Sequence, residues 1–396
     1  MPFPMIRTTL LSLTLLFGFQ FESDGMDDTI SFDKALPIGT WGELQAQYIR
    51  IGPPIDYVPE LRTIPRGINW RFPGWDAVRM RQFIEDSPLP EEQKQSFINR
   101  VREDPEIQGL IIKPSEEEVL NLSSAARRWI YNELASYRVN RMHEKAFRYA
   151  GTSIDDWMYG IELSSSTRTL LEKLVYRNGN LMFMADTALL MKHIDSREEQ
   201  REVFRALTRE KTMLVKLRIS DQSNIKKLSD YWGRGARAKN VYPVLESLKN
   251  RPGDRTIDII HLLPPFARQH LFMYPDVYAM KGADLGKLDC HWSTYNFFNQ
   301  GSPGPPLKTI EVKHYFENNF VAIQAADLRF GDVILYVEKS GKLLHSAVFI
   351  AADIVFTKNG SNFNSPWMFM NLDTMSKYYG RNLDLDIRCL RPKELR

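Results

Sequence analysis

Cys290 and His345 carry the chemistry that this sequence of 396 residues most clearly offers. Cys290 lies in the run Asp289–Phe298 (DCHWSTYNFF), and His345 follows 55 positions later in an apolar run. A cysteine that opens a helix and a histidine on a later strand can form a thiolate nucleophile and its base. The sequence contains one other cysteine, Cys389. We therefore expect one nucleophilic thiol, at Cys290.

Asp289 is suited to cap a helix that we expect to run from Cys290 to about Asn299. An N-cap carboxylate there places Cys290 in the first helical turn. The free backbone N–H groups of that turn would stabilise a thiolate and could also receive an oxyanion. A structural, buried thiol is the alternative at this position.

The residues after the cysteine predict a small antiparallel sheet. A turn at Gly331–Asp332 precedes an apolar strand, and residues 339–342 form a hairpin turn. The returning strand, Leu343–Ile350, carries His345 near its start, and a third strand covers Asp353–Gly360. We expect the Cys290 helix to lie on this sheet and His345 to project from it.

Three of these segments resemble motifs of the NlpC-type, papain-like cysteine peptidases of the cell-wall hydrolase group. Asp289–Ser293 resembles the family's Asp-Cys-Ser-Gly-Phe, Leu328–Val333 its Leu-x-Pro-Gly-Asp-Leu, and His345–Ile350 its His-Val-Gly-Ile-Tyr-Ile. The resemblance covers about the last 110 residues, with Cys before His as in the unpermuted members. The sequence departs from these motifs at His291-Trp292 in place of Ser-Gly, at Phe330 in place of Pro, and at Ala347 in place of Gly.

The resemblance implies a papain-like α+β domain in which Cys290 is the nucleophile and His345 its base. The family's third polar residue, which orients the histidine, falls 12 residues later at Thr357. Asn359 shares that face of the strand and is slightly favoured, because its side chain is better suited to accept from an imidazole N–H. The oxyanion would be bound by the backbone N–H of Cys290, with help from His291.

Two other histidines compete with His345 for the role of base. Adjacent residues on a helix point about 100° apart, so His291 aligns poorly with Cys290. His314 is expected on a strand or loop. A zinc site is the weaker alternative, since Cys290-His291 has no second ligand pair at suitable spacing.

Residues 76–275 predict a helical domain, because start signals are repeatedly followed by apolar residues at three- and four-residue spacing. A capping box at Ser115 and Glu118 is one such signal. We expect helices over about 115–137, 166–176, 181–193, 197–217, 225–231 and 241–248. The loop Gly233–Arg237 is predicted to be a helix–helix turn, with anion binding as the alternative. Four histidines receive no chemical role, namely His143 and His193, which are expected to be solvated, and His261 and His270.

The remaining segments carry signals of location rather than chemistry. Residues 26–75 are rich in Pro and Gly and predict an extended segment that docks through its aromatic rings. In residues 1–25, Arg7 precedes an apolar run, which predicts a secretory signal peptide with a weak cleavage site. An uncleaved anchor or a buried helix is the alternative. The net charge of +3 over 52 basic and 49 acidic residues argues against a nucleic-acid binder.

These features predict a secreted or periplasmic, bacterial-type α+β protein of four segments. They are a signal peptide (1–25), an extended segment (26–75), a helical domain (76–275) and a papain-like catalytic domain (276–396). The expected activity is hydrolysis of an amide bond through a thioester at Cys290, with peptidoglycan peptides as the substrate that the resemblance implies. The alternatives are an inactive binding module and a lipid-directed amidase or acyltransferase of the same fold. No metal or organic cofactor is implied, and no stable membrane span is expected after signal cleavage.

Overall fold

The computed structural model describes residues 34–54, 67–253, 255–275, 288–360, 365–379 and 385–395. Its helices and antiparallel sheets give an α+β architecture. The chain divides into a first unit, residues 1–51 and 210–396, and a second unit, residues 52–209. The predicted signal peptide lies outside the described residues. Within them, no helix combines the length and apolar content needed to cross a bilayer.

The first unit begins with β1 (Lys34–Ala35) and β2 (Glu43–Ile51), which pair as antiparallel strands. The segment predicted to be extended therefore contains a nine-residue strand. Leu44 and Ala46 alternate along β2 and are buried in the core of the first unit. After Ile51 the chain enters the second unit.

The second unit contains short helices around two three-stranded antiparallel sheets. Its helices are α1 (Ala77–Glu85), α2 (Glu91–Arg100), α3 (Glu116–Leu120), α4 (Ser124–Leu134), α5 (Arg141–Glu144), α6 (Ile154–Trp157), α7 (Ser165–Leu174), α8 (Thr187–Lys192) and α9 (Arg197–Leu207). Its strands are β3 (Trp70–Pro73), β4 (Val101–Asp104), β5 (Gly109–Ile112), β6 (Phe147–Tyr149), β7 (Tyr176–Asn178) and β8 (Leu181–Met184). The strand orders are β3-β5-β4 and β6-β8-β7.

The helix predictions hold in part for this unit. The capping box is confirmed: Glu118 N–H donates to Ser115 Oγ, and Ser115 N–H donates to Glu118 Oε2. The helix predicted over 115–137 is wrong in its continuity, because Ser123 caps a new helix by accepting from the Ala126 N–H. The helix predicted over 181–193 is a strand followed by a helix, since four consecutive buried residues form β8.

A buried polar network lies in the core of the second unit. The Tyr131 hydroxyl donates to the carboxylate of Asp186, which also forms an ion pair with the fully buried Arg127. The His143 ring packs edge-on against the Tyr131 ring, with 4.5 Å between centroids. Its Nε2 atom is buried and has no hydrogen-bond partner among the described residues. The prediction that His143 is solvated is therefore wrong for this nitrogen, and the residue as a whole is partly buried.

The chain returns to the first unit in β9 (Glu210–Arg218), which pairs along the whole of β2. The helix predicted over 197–217 is thus wrong beyond Leu207, because the side chains from Met213 onward alternate between buried and less buried positions. The strands β1, β2, β9 and β10 (Thr256–Asp258) form one sheet in the order β1-β2-β9-β10. The helices α10 (Ile225–Trp232), α11 (Ala238–Lys249) and α12 (Pro265–His270) contribute to the same core.

A six-stranded antiparallel sheet completes the first unit, in the order β11-β16-β12-β13-β14-β15. Its strands are β11 (Phe320–Ile323), β12 (Val333–Glu338), β13 (Leu343–Ala351), β14 (Ile354–Lys358), β15 (Trp367–Asn371) and β16 (Leu385–Pro392), with helices α13 (Cys290–Tyr295), α14 (Thr309–Asn319) and α15 (Leu372–Tyr379). The three strands predicted from the sequence are confirmed as β12, β13 and β14. Two helix expectations need correction: the Cys290 helix ends at Tyr295, and His314 lies in α14 instead of a strand or loop.

The loop Gly233–Arg237 joins α10 to α11 as the predicted helix–helix turn. Arg234 donates to the fully buried carboxylate of Asp332, which also accepts from Arg391. Arg237 donates to the backbone carbonyls of Trp232 and Leu262. Both arginines of the loop thus have internal partners. Residues 210–275, predicted to belong to the helical domain, belong to the first unit.

Candidate functional site around Cys290

Cys290 is the first residue of α13 and is buried, with 4% of its surface exposed. Asp289 caps the helix by accepting from the Trp292 N–H at 2.8 Å. The Thr294 hydroxyl donates to the carbonyl oxygen of Cys290 at 2.8 Å. The predicted cap is therefore present, and the thiol lies where the chain enters the helix.

Polar contacts hold the first turn of α13 against the six-stranded sheet. Ser346 Oγ on β13 lies 2.9 Å from His291 Nδ1 and 2.9 Å from Thr294 Oγ1. The Trp367 Nε1–H on β15 donates to Ser293 Oγ at 2.6 Å. These contacts define the face of the sheet that α13 covers. We call it the helix face.

Lys358, the last residue of β14, projects from the helix face. It follows the buried Thr357, which turns to the other face, and its Nζ lies 5.7 Å from the ring centroid of Trp367. Its side chain is fully buried, and Nζ donates to the carbonyl oxygen of Gly360 at 2.8 Å. Burial lowers the pKa of Lys358 to about 7, while the negative charges that Cys290, Asp289 and Glu210 can carry act to raise it.

His291, which follows Cys290 in α13, is also titratable. Burial lowers its pKa, and the charge of Asp289 acts in the opposite direction. Because the Thr294 hydroxyl hydrogen is used in the bond to Cys290, the Ser346 hydroxyl donates either to Thr294 Oγ1 or to His291 Nδ1. His291 is thus tied to the sheet through Nδ1.

His345 lies on the opposite face of the sheet from α13. Consecutive side chains of a strand alternate between faces, and its neighbour Ser346 contacts α13. The His345 ring is fully buried and stacks on the Tyr379 ring of α15, with centroids 3.8 Å apart at 14°. The structure does not bring His345 into hydrogen-bond contact with Cys290.

The hydrogen bonds of His345 fix which ring nitrogen carries the proton in its neutral form. The Thr357 hydroxyl donates to the carbonyl oxygen of Ser346 at 3.2 Å, so it accepts from His345 Nε2 at 2.9 Å. The lone pair then lies on Nδ1, which is buried and has no hydrogen-bond partner among the described residues. Thr357, one of the two candidates for the third polar residue, therefore contacts His345 on the face of the sheet that α13 does not cover.

Asn359, the other candidate for this role, bonds elsewhere. Its side-chain carbonyl accepts from the Tyr379 hydroxyl at 3.3 Å, while its Nδ2 is buried without a partner among the described residues. The four predicted site residues thus separate into two groups. Cys290 lies at the helix face, and His345, Thr357 and Asn359 lie on the other.

Ser346 and Lys358 project from the helix face, and neither was predicted from the sequence as a site residue. A lysine that ends an apolar strand, as in Ile354–Lys358, is unusual enough to mark a buried cation. Ser346 has no comparable signal. In the described part of the chain, no cluster of three or more His, Cys, Asp or Glu side chains could bind a metal ion.

Comparison of the chain with protein-family models, with curated proteins and with solved structures finds no significant match in any of the three.

Proposed function

We propose that this protein is a cysteine-dependent hydrolase of amide bonds in which Cys290 is the nucleophile. The reaction would proceed by attack of the Cys290 thiolate on the carbonyl carbon, release of the amine and hydrolysis of the resulting thioester. The observation that carries the proposal is the polar cluster at the start of α13, in which Cys290, Ser346 and Lys358 are buried and Asp289 and His291 are partly buried, beside the apolar core of the first unit.

The two cysteines of the chain lie in different surroundings. Cys389 lies on β16, where burial raises the pKa of its thiol to about 12 and the charge of Asp332 acts in the same direction. A cysteine that only fills space has no need of a cation beside it. Lys358 projects from the face of the sheet that α13 covers, and the charge that Cys290 can carry acts on its ammonium. The two thiols therefore differ in the charge of their surroundings.

Peptides of the bacterial cell wall are the proposed substrate, on the resemblance of three segments to NlpC-type peptidases. The predicted export signal would bring the protein to such a substrate. The assignment of a papain-like fold to the first unit is part of this proposal. The position of His345 away from α13 is a departure from the pairing that the resemblance implies.

The first test is alkylation of the full chain with iodoacetamide over a pH series, with both cysteines followed by peptide mass spectrometry. Cys290 should react faster near pH 7 than a free thiol, while Cys389 should remain unlabelled in the folded protein. A Cys290 no more reactive than Cys389 contradicts the proposal and leaves the inactive binding module as the better interpretation.

The second test is incubation with purified peptidoglycan, with released amines measured and Cys290→Ser as the matched control. Release that Cys290→Ser abolishes supports a wall hydrolase. A reactive Cys290 with no release from peptidoglycan, but with cleavage of N-acyl lipids, would replace the proposed substrate with a lipid amide.

A further inference from the structure

We infer that Lys358, and not His345, accepts the proton of Cys290 and returns it to the leaving amine. This inference rests on the proposed function, because it concerns the chemistry of the same thiol. It follows from which side chains the sheet presents to α13.

Alternation along the strands separates the two candidate bases. Ser346 and Lys358 project from the helix face, whereas His345 and Thr357 project from the other face, where they bond to each other. His345 Nδ1 has the lone pair of a base but lacks a thiol partner in the described part of the chain. A base must come within hydrogen-bond reach of the proton that it takes, and His345 projects from the face of the sheet that α13 does not cover.

Lys358 projects from the helix face, among groups that can carry a negative charge. The charged groups that act on its ammonium are Cys290 and Asp289 from α13 and Glu210 from β9. Its burial makes the neutral amine accessible near neutral pH, so that it can take a proton from a thiol. After the transfer, thiolate and ammonium form a neutral pair, which costs less in a buried site than either charge alone.

The proton balance is complete with this one group. The Cys290 proton moves to Lys358 Nζ, and the thiolate sulfur bonds to the carbonyl carbon. The C–N bond breaks as the ammonium protonates the leaving nitrogen, which departs as a free amine. Water then gives a proton to Lys358 Nζ and adds to the thioester, and collapse of the adduct with return of that proton restores the Cys290 thiol and releases a carboxylic acid.

His291 is the nearest competitor on the helix face. Its Nδ1 is engaged with Ser346, and its position next to Cys290 on a helix points its ring away from the thiol. The His291→Asn variant therefore belongs in the test.

The test is the iodoacetamide rate of Cys290 between pH 5 and 10 in the full chain, for the wild type, Lys358→Met, Lys358→Gln, His345→Gln and His291→Asn. Both Lys358 variants should lower the rate at pH 7 by at least about tenfold and move the inflection to higher pH, since one pKa unit corresponds to a tenfold change in thiolate. His345→Gln should leave the rate within about twofold.

Thermal melting and hydrogen exchange check that each variant is folded. Lys358→Met removes a buried charge, so its fold should persist. A large loss in His345→Gln, or in His291→Asn, with folding intact would overturn the inference even if neither Lys358 variant folds. A wild-type Cys290 without enhanced reactivity would instead remove the proposed function. If Cys290 reacts faster than a free thiol but its rate is unchanged in the Lys358 variants, only the inference fails.

Discussion

His143 should make the second unit sensitive to acid, and His143→Phe should remove that sensitivity. The imidazole is held edge-on against Tyr131, and burial together with the positive charge of Arg127 lowers its pKa to about 3. In the unfolded chain the same group has its ordinary pKa near 6.5. The substitution keeps an apolar ring against Tyr131 while removing the titrating group.

The size of the effect follows from the two pKa values. Between pH 6.5 and about 3 the unfolded chain binds one proton that the folded chain does not, so stability is present above this window and is lost as the pH falls through it. The loss is about 1.4 kcal/mol per pH unit, which amounts to about 2 kcal/mol at pH 5. The free energy of unfolding of His143→Phe should therefore fall by about 2 kcal/mol less than that of the wild type between pH 7 and 5.

Hydrogen exchange of the most protected α4 amides measures this difference locally. Comparison of the two proteins at the same pH cancels the intrinsic pH dependence of exchange and the effect of other acidic groups. His193→Gln is the matched control, because the His193 side chain is 42% exposed and pairs with Glu116 at the surface. Equal losses of protection in the wild type and His143→Phe would refute the reasoning.

Two further substitutions test the turn that precedes β12. Asp332→Ala removes a fully buried carboxylate held by two arginines and should lower the free energy of unfolding in urea by about 3 kcal/mol or more. Asp373→Ala breaks a solvent-exposed pair and should lower it by under about 0.5 kcal/mol. Equal losses would contradict the burial argument. Gly331→Ala should lower the thermal stability more than Gly341→Ala. Both glycines have positive φ (87° and 84°), so the backbone strain is similar. At Gly331 the added Cβ would also lie 2.2 Å from a phenylalanine ring, whereas at Gly341 it would meet no atom. A thermal shift as large for Gly341→Ala would show that backbone strain alone decides the effect.

Elements with a strong local signal could be predicted from the sequence. The hairpin of β12 and β13, the capping box at Ser115 and the Asp289 cap all rest on side chains that act within a few residues of one another. The helix predicted over 197–217 failed where the period changed. Met213, Val215 and Leu217 alternate as in a strand, and that signal was present in the sequence.

The pairing at the candidate site could not be predicted in this way. Alternation along β13 and β14 shows that His345 and Lys358 project to opposite faces, but nothing local shows which face receives α13. That choice is made by tertiary packing, here of Trp292 and Phe297 with Val348 and Phe356. The motif spacing therefore predicted the order of the candidate residues along the chain, but not which face of the sheet each side chain occupies.

The pairing of β2 with β9 has a consequence for how the chain folds during synthesis. Ile51 and Glu210 are direct partners in this ladder, yet 158 residues, 52–209, are made between them. Closing a flexible loop of that length would cost about 4–5 kcal/mol in chain entropy. The ends of the second unit already lie side by side, since a Cβ on Gly52 would be 3.4 Å from Arg209 Cγ. If residues 52–209 fold first, β9 begins close to β2 and most of this entropy cost is removed. The segment that interrupts the first unit in sequence would thus also speed its folding.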